Sequence, residues 1–164
     1  SERSVEMNRI VTGVLAGFLA TFPMSVVLLA GRRRIEPPPA PKEISDEIQD
    51  RAGIGDELHE EQRRVAAVAG HFAYGAAAGG VYGLMPGERA GAPVLRGSVY
   101  GLGVWAASYA GWLPATRILP FPTNRPARWN TRLLLAHLVW GAALGYLVER
   151  GSPRNRRRHL RESE

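Results

Sequence analysis

The fold is indicated by a pattern that the chain repeats, first as His71-Phe-Ala-Tyr-Gly-Ala-Ala-Ala-Gly79 and again as His137-Leu-Val-Trp-Gly-Ala-Ala-Leu-Gly145. Both copies have a histidine, an aromatic residue, Gly-Ala-Ala and a second glycine at identical offsets. Glycine and alanine are common here, but the chain has only four histidines, so the agreement indicates an internal repeat. Because a repeat defines the unit from which a fold is built, we predict an all-α protein made of two similar helix hairpins.

The charges of the chain are segregated, and this segregation predicts membrane spans. A mean hydropathy of −0.15 and 22% charged residues would suit a soluble domain. Residues 10–31, however, carry no charge, and as a helix they extend roughly 33 Å, enough for a hydrocarbon core of about 30 Å. The rest of the chain holds too little polar material to cover several such helices in water. We therefore predict a four-span transmembrane bundle, with spans at 10–31, 65–85, 93–113 and 133–148.

The remaining segments are short and polar. We predict a single transmembrane domain over residues 1–149, followed by a basic C-terminal tail at 150–164. The loop at 32–64 is predicted to contain a short surface helix, from Pro41 to Ala52, with a solvated acidic face. We expect Asp56 to cap a further helical stretch that continues into the second span.

Arginine clusters beside the predicted spans indicate contact with lipid headgroups. The net charge of +6 is explained by anionic lipids and the positive-inside rule, so no nucleic-acid partner is predicted. The expected partners are the bilayer and either other membrane subunits or a second copy of the chain. The basic residues divide almost evenly between the two sides, which leaves the membrane orientation open. The headgroup residues are predicted to be Arg32, Arg33, Arg34, Arg154, Arg156, Arg157 and Arg158.

Glycines recur every four residues in each predicted span, which places them on one helix face. Such rows allow close backbone approach in lipid, where packing rather than hydrophobicity drives helix association. The pattern does not distinguish contact within the chain from contact with another subunit. The predicted packing positions are Gly13, Gly17, Gly75, Gly79, Gly83, Gly97, Gly101, Gly141 and Gly145.

His71 and His137 are the candidate functional residues, because an ionisable side chain inside a span indicates a functional site. Each precedes the first glycine of its row by four residues, so we expect the two imidazoles at similar depth. Three interpretations remain open. The histidines are neutral groups that hydrogen-bond a hydroxyl of Tyr74, Tyr82, Tyr100, Ser108 or Tyr109, or they bind a haem b or a metal, or they respond to protons near neutral pH.

Catalysis finds no support in the sequence, since no nucleophile, base and orienting acid can be assembled from it. The absence of cysteine excludes disulfides and thiolate metal sites, and the acidic residues lack metal-ligand spacing. We therefore predict no enzymatic activity, no catalytic residue, no metal site and no cofactor. The predicted function is a non-catalytic integral membrane protein that serves as an accessory subunit of a larger membrane complex. The alternatives are a small redox protein that binds haem b or a metal through the two histidines and, third, a minor transporter, although two symmetric hairpins offer no obvious substrate path.

The order of these motifs resembles the YagU-like family of small bacterial inner-membrane proteins. A glycine-rich first span and a proline-rich exit are followed by His-x-x-Tyr-Gly, Trp-x-x-Ser-Tyr and His-x-x-x-Gly in the later spans. The resemblance extends over about residues 7–149, and the acidic loop departs from it. It implies a multi-pass location in the bacterial inner (cytoplasmic) membrane and a role in acid-stress survival, and it supplies no catalytic residues. The matching positions are Pro37, Pro38, His71, Tyr74, Gly75, Trp105, Ser108, Tyr109, His137 and Gly141.

Overall fold

The computed structural model describes residues 2–30, 40–85 and 92–151, and these are helical throughout apart from short connections. The prediction of an all-α chain is therefore confirmed for the described residues. The predicted headgroup arginines Arg32, Arg33, Arg34, Arg154, Arg156, Arg157 and Arg158 lie outside them. The helices are α1 (Glu2–Leu29), α2 (Ala40–Arg51), α3 (Glu60–Leu84), α4 (Pro93–Trp105), α5 (Leu113–Ala115) and α6 (Ala127–Gly151), with a π-helical segment at Ala106–Trp112 and 3₁₀ turns at Gly55–Glu57 and Pro122–Asn124.

Two antiparallel helix pairs form the body of the protein. α1 packs along α3 and α4 packs along α6, and a further contact between α1 and α6 joins the pairs. In the first pair a Cβ added to Gly13 would overlap the carbonyl oxygen of Gly79. In the second pair a Cβ added to Gly97 would overlap the carbonyl oxygen of Gly141. The glycine rows thus lie at contacts inside the chain, where any larger residue would force the backbones apart.

The contacts in the two pairs are offset from the sequence repeat by one helical turn. Gly17, the second glycine of the row in α1, lies against Gly75 in the first pair, whereas Gly101, the second glycine of the row in α4, lies against the backbone of His137 in the second. With these two rows aligned, His137 takes the place of Gly75 in the packing. The two histidines thus hold different positions in the contacts of their helix pairs, because glycines spaced by four allow neighbouring turns to pack in the same way.

α2 begins and ends within one residue of the predicted surface helix, and it lies against α3. Arg63 of α3 forms ion pairs with Asp46 at 3.2 Å and Asp50 at 3.0 Å, and Lys42 pairs with Glu60 at 3.3 Å. The acidic face predicted to be solvated is thus partly paired with Arg63 from the neighbouring helix. These contacts fix the position of α2 against the start of α3.

α2 also reaches the second helix pair. Glu43 forms an ion pair with Arg125, just before α6. Arg51 donates hydrogen bonds to the carbonyl oxygens of Thr116 at 2.6 Å and Arg117 at 2.8 Å. α2 therefore bridges the two pairs and covers one end of the space between them.

The start of α3 differs from its prediction. Asp56 lies in a 3₁₀ turn, and the helix begins at Glu60 with His59 as its N-cap residue. The side-chain oxygen of Gln62 accepts a hydrogen bond from the His59 backbone N–H at 2.8 Å. This bond satisfies a donor that a helix N-terminus leaves unpaired, and it explains why the helix begins later than expected.

The outer faces of the helices are apolar. Among the described residues, two segments are long and apolar enough to cross a membrane, Glu6–Leu29 in α1 and Ala127–Gly151 in α6. α1 exposes a continuous apolar face and α3 and α4 expose shorter ones. The exposed side chains on these three helices include Val11, Leu15, Phe18, Leu19, Phe22, Val26, Leu29, Val65, Val68, Val81, Leu84, Val94, Leu95 and Val99.

Candidate functional site: a cavity between the helix pairs

A cavity of about 390 Å³ lies between the two helix pairs and beneath α2. Most of the residues that line it belong to α1, α2, α3, the π-helical segment and α6, and α4 and α5 contribute one residue each. None of the described residues that line it is Asp, Glu, Lys or Arg. The polar and aromatic lining residues are Thr21, Ser45, Gln49, His71, Tyr74, Ser108, Tyr109, Trp112, His137 and Trp140. Both predicted histidines are therefore part of one site.

The π-helical segment shapes one wall of the cavity. Ser108 and Tyr109 are consecutive, yet both are buried and both line the cavity. The widened turn, with Gly111 at φ −111° and ψ −106°, turns both side chains inward. π-helical turns are rare and occur frequently at functional sites. The hydroxyl of Tyr74 on α3 is hydrogen-bonded to the Ser108 hydroxyl at 2.9 Å, which ties this wall to the first helix pair.

His137 is buried, and one hydrogen bond fixes which of its ring nitrogens carries a proton. The ring nitrogen Nδ1 lies 2.8 Å from the carbonyl oxygen of Leu133, one turn earlier in α6. A carbonyl oxygen can only accept a hydrogen bond, so Nδ1 carries a proton, and in the neutral ring Nε2 then keeps a lone pair. The Tyr109 ring meets the imidazole edge-on, with centroids 5.6 Å apart. The ring is thereby held in one orientation with an acceptor nitrogen left over.

His71 lines the same cavity from α3. Its Nε2 is buried and has no hydrogen-bond partner among the described residues. Three of the five hydroxyls predicted as partners are engaged elsewhere: Tyr74 and Ser108 bond each other, and Tyr100 donates to the carbonyl oxygen of Ala78 at 2.7 Å. Nε2 of His71 has no hydroxyl partner in the described part of the chain, and Nδ1 of His137 bonds the carbonyl oxygen of Leu133 instead of a hydroxyl. At these two nitrogen atoms the predicted hydroxyl bonds are not formed.

Gln49 on α2 is a site residue that the sequence reasoning missed. Its side chain is only 6% exposed and lines the cavity. The amide nitrogen donates to the Ser45 hydroxyl at 2.6 Å, whereas the amide oxygen is buried without a partner. Gln49 follows Ile48 on a helix that we predicted to lie on the surface, so only the docking of α2 over the cavity shows its role.

Hydrogen bonds across the helix pairs hold the cavity walls together. Trp140 of α6 donates its indole N–H to the carbonyl oxygen of Gly17 on α1 at 3.2 Å. Tyr100 of α4 makes the corresponding bond to Ala78 of α3. Glycine at position 17 leaves its carbonyl accessible to the large indole ring, so the glycine row also supports the site.

The polar groups that line the cavity include hydroxyls, one amide and two imidazoles. No three His, Asp or Glu side chains in the described part of the chain lie close enough together to hold a metal ion. No protein-family model matches the chain, and no curated protein or solved structure is significantly similar to it. The function must therefore be inferred from the site and the surface alone.

Proposed function

We propose that this chain is a non-catalytic, four-span integral membrane protein. The observation that carries the proposal is the apolar outer face of α1, on which Leu15, Phe22 and Val26 are each more than half exposed. Monomeric soluble proteins rarely expose apolar patches larger than a few hundred Å². Lipid is the environment in which a helix with apolar residues on every face is stable.

The two remaining spans are α3 and the stretch from α4 through α5. α3 has 25 residues, so it extends roughly 37 Å and can cross a hydrocarbon core of about 30 Å. Its charged residues are confined to its first turns, at Glu60, Glu61, Arg63 and Arg64. The stretch 93–115 contains Arg96 near its start and no other charged residue. Both segments also contain glycines that lie against the backbones of neighbouring helices.

Extraction of isolated membranes tests this assignment. Expressed in a bacterium, the full chain is expected to stay in the membrane pellet at pH 11 in sodium carbonate and in 4 M urea, and to be released only by detergent. A soluble protein or a peripheral one would appear in the carbonate or urea supernatant. Either result would overturn the proposal.

Within the membrane we propose the role of an accessory subunit or a stress-related component of the bacterial inner membrane. The resemblance to YagU-like proteins and the lack of a catalytic constellation in the cavity support this role. Purification in a mild detergent such as digitonin tests it, with a tagged chain expressed at its natural level. A stoichiometric membrane partner is expected for an accessory subunit, and recovery of this chain alone would argue against that role.

A haem-binding redox protein is a second candidate, favoured by the geometry of His137. An imidazole whose Nδ1–H bonds a backbone carbonyl presents its Nε2 lone pair to a metal, as metal-ligating histidines usually do. Against it, no described lining residue is cationic, so the haem carboxylates would need to reach outside the cavity. An absorption spectrum of the detergent-purified protein decides between the candidates. A Soret band that disappears in His71→Ala and in His137→Ala would establish haem binding, and a colourless protein that takes up no added hemin would exclude it.

A further inference from the structure

We propose that the cavity binds a small neutral molecule that combines a flat ring with a hydroxyl group, the chemistry of a phenol or a hydroquinone. Its volume of about 390 Å³ falls in the range of about 300–1,000 Å³ typical of ligand pockets. This inference goes beyond the proposed membrane role, and it is tested by a different measurement. Three features of the walls define the ligand.

The first feature is a set of polar side chains whose hydrogen-bonding capacity is not fully used. The amide oxygen of Gln49 and Nε2 of His71 have no partner among the described residues, and the bond of His137 to Leu133 uses Nδ1, which leaves Nε2 as an acceptor when the ring is neutral. All three side chains line the cavity, and His137 and Gln49 are more than nine-tenths buried, at 4% and 6% exposure. A buried polar group that stays unpaired costs about 1–3 kcal/mol. A ligand hydroxyl is a donor that would satisfy one of these acceptors.

The second feature is the aromatic wall. Trp140 is 2% exposed and Tyr109 is 8% exposed, and each presents a ring to the cavity from a different helix. Trp140 is held by its bond to Gly17, so it does not turn away when the cavity is empty. Fixed rings of this kind favour a flat apolar partner over a flexible chain.

The third feature is the absence of charge among the described lining residues. A charged ligand would lose its hydration without gaining an ionic partner, which is strongly unfavourable in an apolar site. The exposed side chains of Ile48, Tyr74 and Trp112 mark the rim, and they are apolar or aromatic as well. The route into the cavity therefore also selects a neutral molecule.

The experiment compares two probes that differ in one hydrogen-bond donor, 2-naphthol and 2-methoxynaphthalene. Each is titrated into the full chain in detergent, and binding is measured by energy transfer from tryptophan, since Trp112 and Trp140 line the cavity. The wild-type protein is expected to bind 2-naphthol about 2- to 10-fold more tightly than 2-methoxynaphthalene, the contribution of one hydrogen bond. Equal binding of the two probes would show an apolar cavity for lipid or detergent chains and would overturn the proposal. So would a lack of binding.

Variants then locate the hydroxyl contact. Gln49→Met combined with His137→Phe removes the two acceptor side chains that are most deeply buried, and the preference for 2-naphthol is expected to fall while 2-methoxynaphthalene still binds. The chain offers a matched control in His59→Phe with Gln62→Met, which changes the same residue types at the start of α3, and this variant should keep the preference. If the double cavity variant does not fold, Gln49→Met alone must still reduce the preference.

A substitution that fills the cavity tests whether the probes bind there or elsewhere on the protein. Ala67 is 5% exposed and lines the cavity, so Ala67→Phe is expected to weaken both probes at least tenfold. Unchanged binding in Ala67→Phe, or loss of the preference in the His59/Gln62 control, would place the probes elsewhere and would contradict the proposal.

Discussion

Single hydrogen bonds between side chains and backbone carbonyls fix the interior of this protein. Tyr100 and Trp140 each reach across from the second helix pair to a carbonyl of the first. These carbonyls belong to Ala78 and Gly17, whose small side chains leave room for a ring. The interior is therefore specified by a few aromatic donors placed opposite small residues, and each of them can be tested alone.

Removing one such donor should loosen the contact between the pairs. Tyr100→Phe keeps the ring and removes the bond to Ala78, so we expect the free energy of unfolding to fall by about 0.5–1.5 kcal/mol. The measurement is reversible denaturation in detergent micelles. Tyr146→Phe is the matched control, because Tyr146 is 43% exposed and its ring contact with Arg150 does not need the hydroxyl. Equal losses in both variants would contradict a specific role for Tyr100.

The sequence identified part of the site at the level of residues. His71 and His137 stand out because histidine is rare here and heads a repeated pattern, and the structure places both at one cavity. Gln49 carries no comparable signal, because a single glutamine in an acidic helix is typical of a solvated face. Its burial depends on how α2 is held by Arg63 and Arg125, contacts between segments far apart in the chain that no local pattern encodes.

At the scale of the elements, glycine rows determine how closely helices approach. Gly101 and Gly103 lie in the same helix, yet a Cβ at Gly101 would overlap the carbonyl oxygen of His137, whereas a Cβ at Gly103 would meet nothing within 4 Å. Spacing alone distinguishes them, since only Gly101 belongs to the row spaced by four with Gly97. The prediction that the rows lie at helix contacts rests on side-chain size, because only glycine and a few other small residue types fit between two backbones in contact.

These two glycines provide a matched test of packing. Gly101→Ala is expected to destabilise the protein by about 1–3 kcal/mol, since the added methyl group must displace backbone atoms. Gly103→Ala is expected to be neutral or to stabilise by up to about 1 kcal/mol, because alanine restricts the unfolded chain and favours helix. Unfolding in detergent measures both. The packing argument fails if the two substitutions have the same effect.

The attachment of α2 should weaken in acid. Burial raises the pKa of the Asp46 carboxyl, but hydrogen bonds from Lys42 and Arg63 outweigh this effect and hold the pKa below its ordinary value of 3.8. A pKa that is lower in the folded state stabilises the fold above the unfolded value, and this contribution disappears as the pH falls through the folded value. We therefore expect no change in the Asp46 contribution between pH 8 and pH 5 and a progressive loss of stability below about pH 4.

Thermal unfolding as a function of pH measures this loss. Asp46→Asn should lower the melting temperature at neutral pH. Below about pH 4 the melting temperature of this variant should decrease less steeply than that of the wild type. Asp56→Asn is the control, since Asp56 is an exposed aspartate in the neighbouring 3₁₀ turn, and its profile should follow the wild type. A wild-type acid profile in Asp46→Asn would contradict the role assigned to this carboxylate.

At the scale of the whole molecule, the four-span proposal fixes which parts of the chain share a side of the membrane. If α1 and α4 cross the membrane in one direction and α3 and α6 cross in the other, both ends of the described chain lie on the same side. The starts of α3 and α6 then lie on the other side. The chain contains no cysteine, so single introduced cysteines report the topology without interference.

Labelling with a membrane-impermeant maleimide in sealed vesicles tests this arrangement. Glu6→Cys and Glu149→Cys, at exposed positions near the two ends, are expected to react alike. Glu61→Cys and Asn124→Cys, also exposed, are expected to show the opposite accessibility. Detergent should make all four reactive. Any other division of the four sites is incompatible with four spans.

The long helices could be predicted because the lack of charged residues is visible within each segment by itself. The register of one helix along its partner could not be predicted in the same way, because it depends on two segments together. Gly75 and Gly79 are equally good contact positions for Gly17, so the sequence repeat and the packing repeat are free to differ by one turn. The cavity could not be predicted for the same reason, since its walls come from several elements whose relative positions depend on that register.

The fourfold spacing of the glycines has a mechanical consequence. Moving one helix along its partner by four residues, about 6 Å, replaces each glycine contact by the next one, so neighbouring registers have similar backbone contacts. Large side chains at the ends of the row limit how far the helix can shift. In the second pair this limit is set by His137, whose side chain projects from the row into the space where a ligand would sit. An occupant of that space would therefore also bias the sliding position of α6.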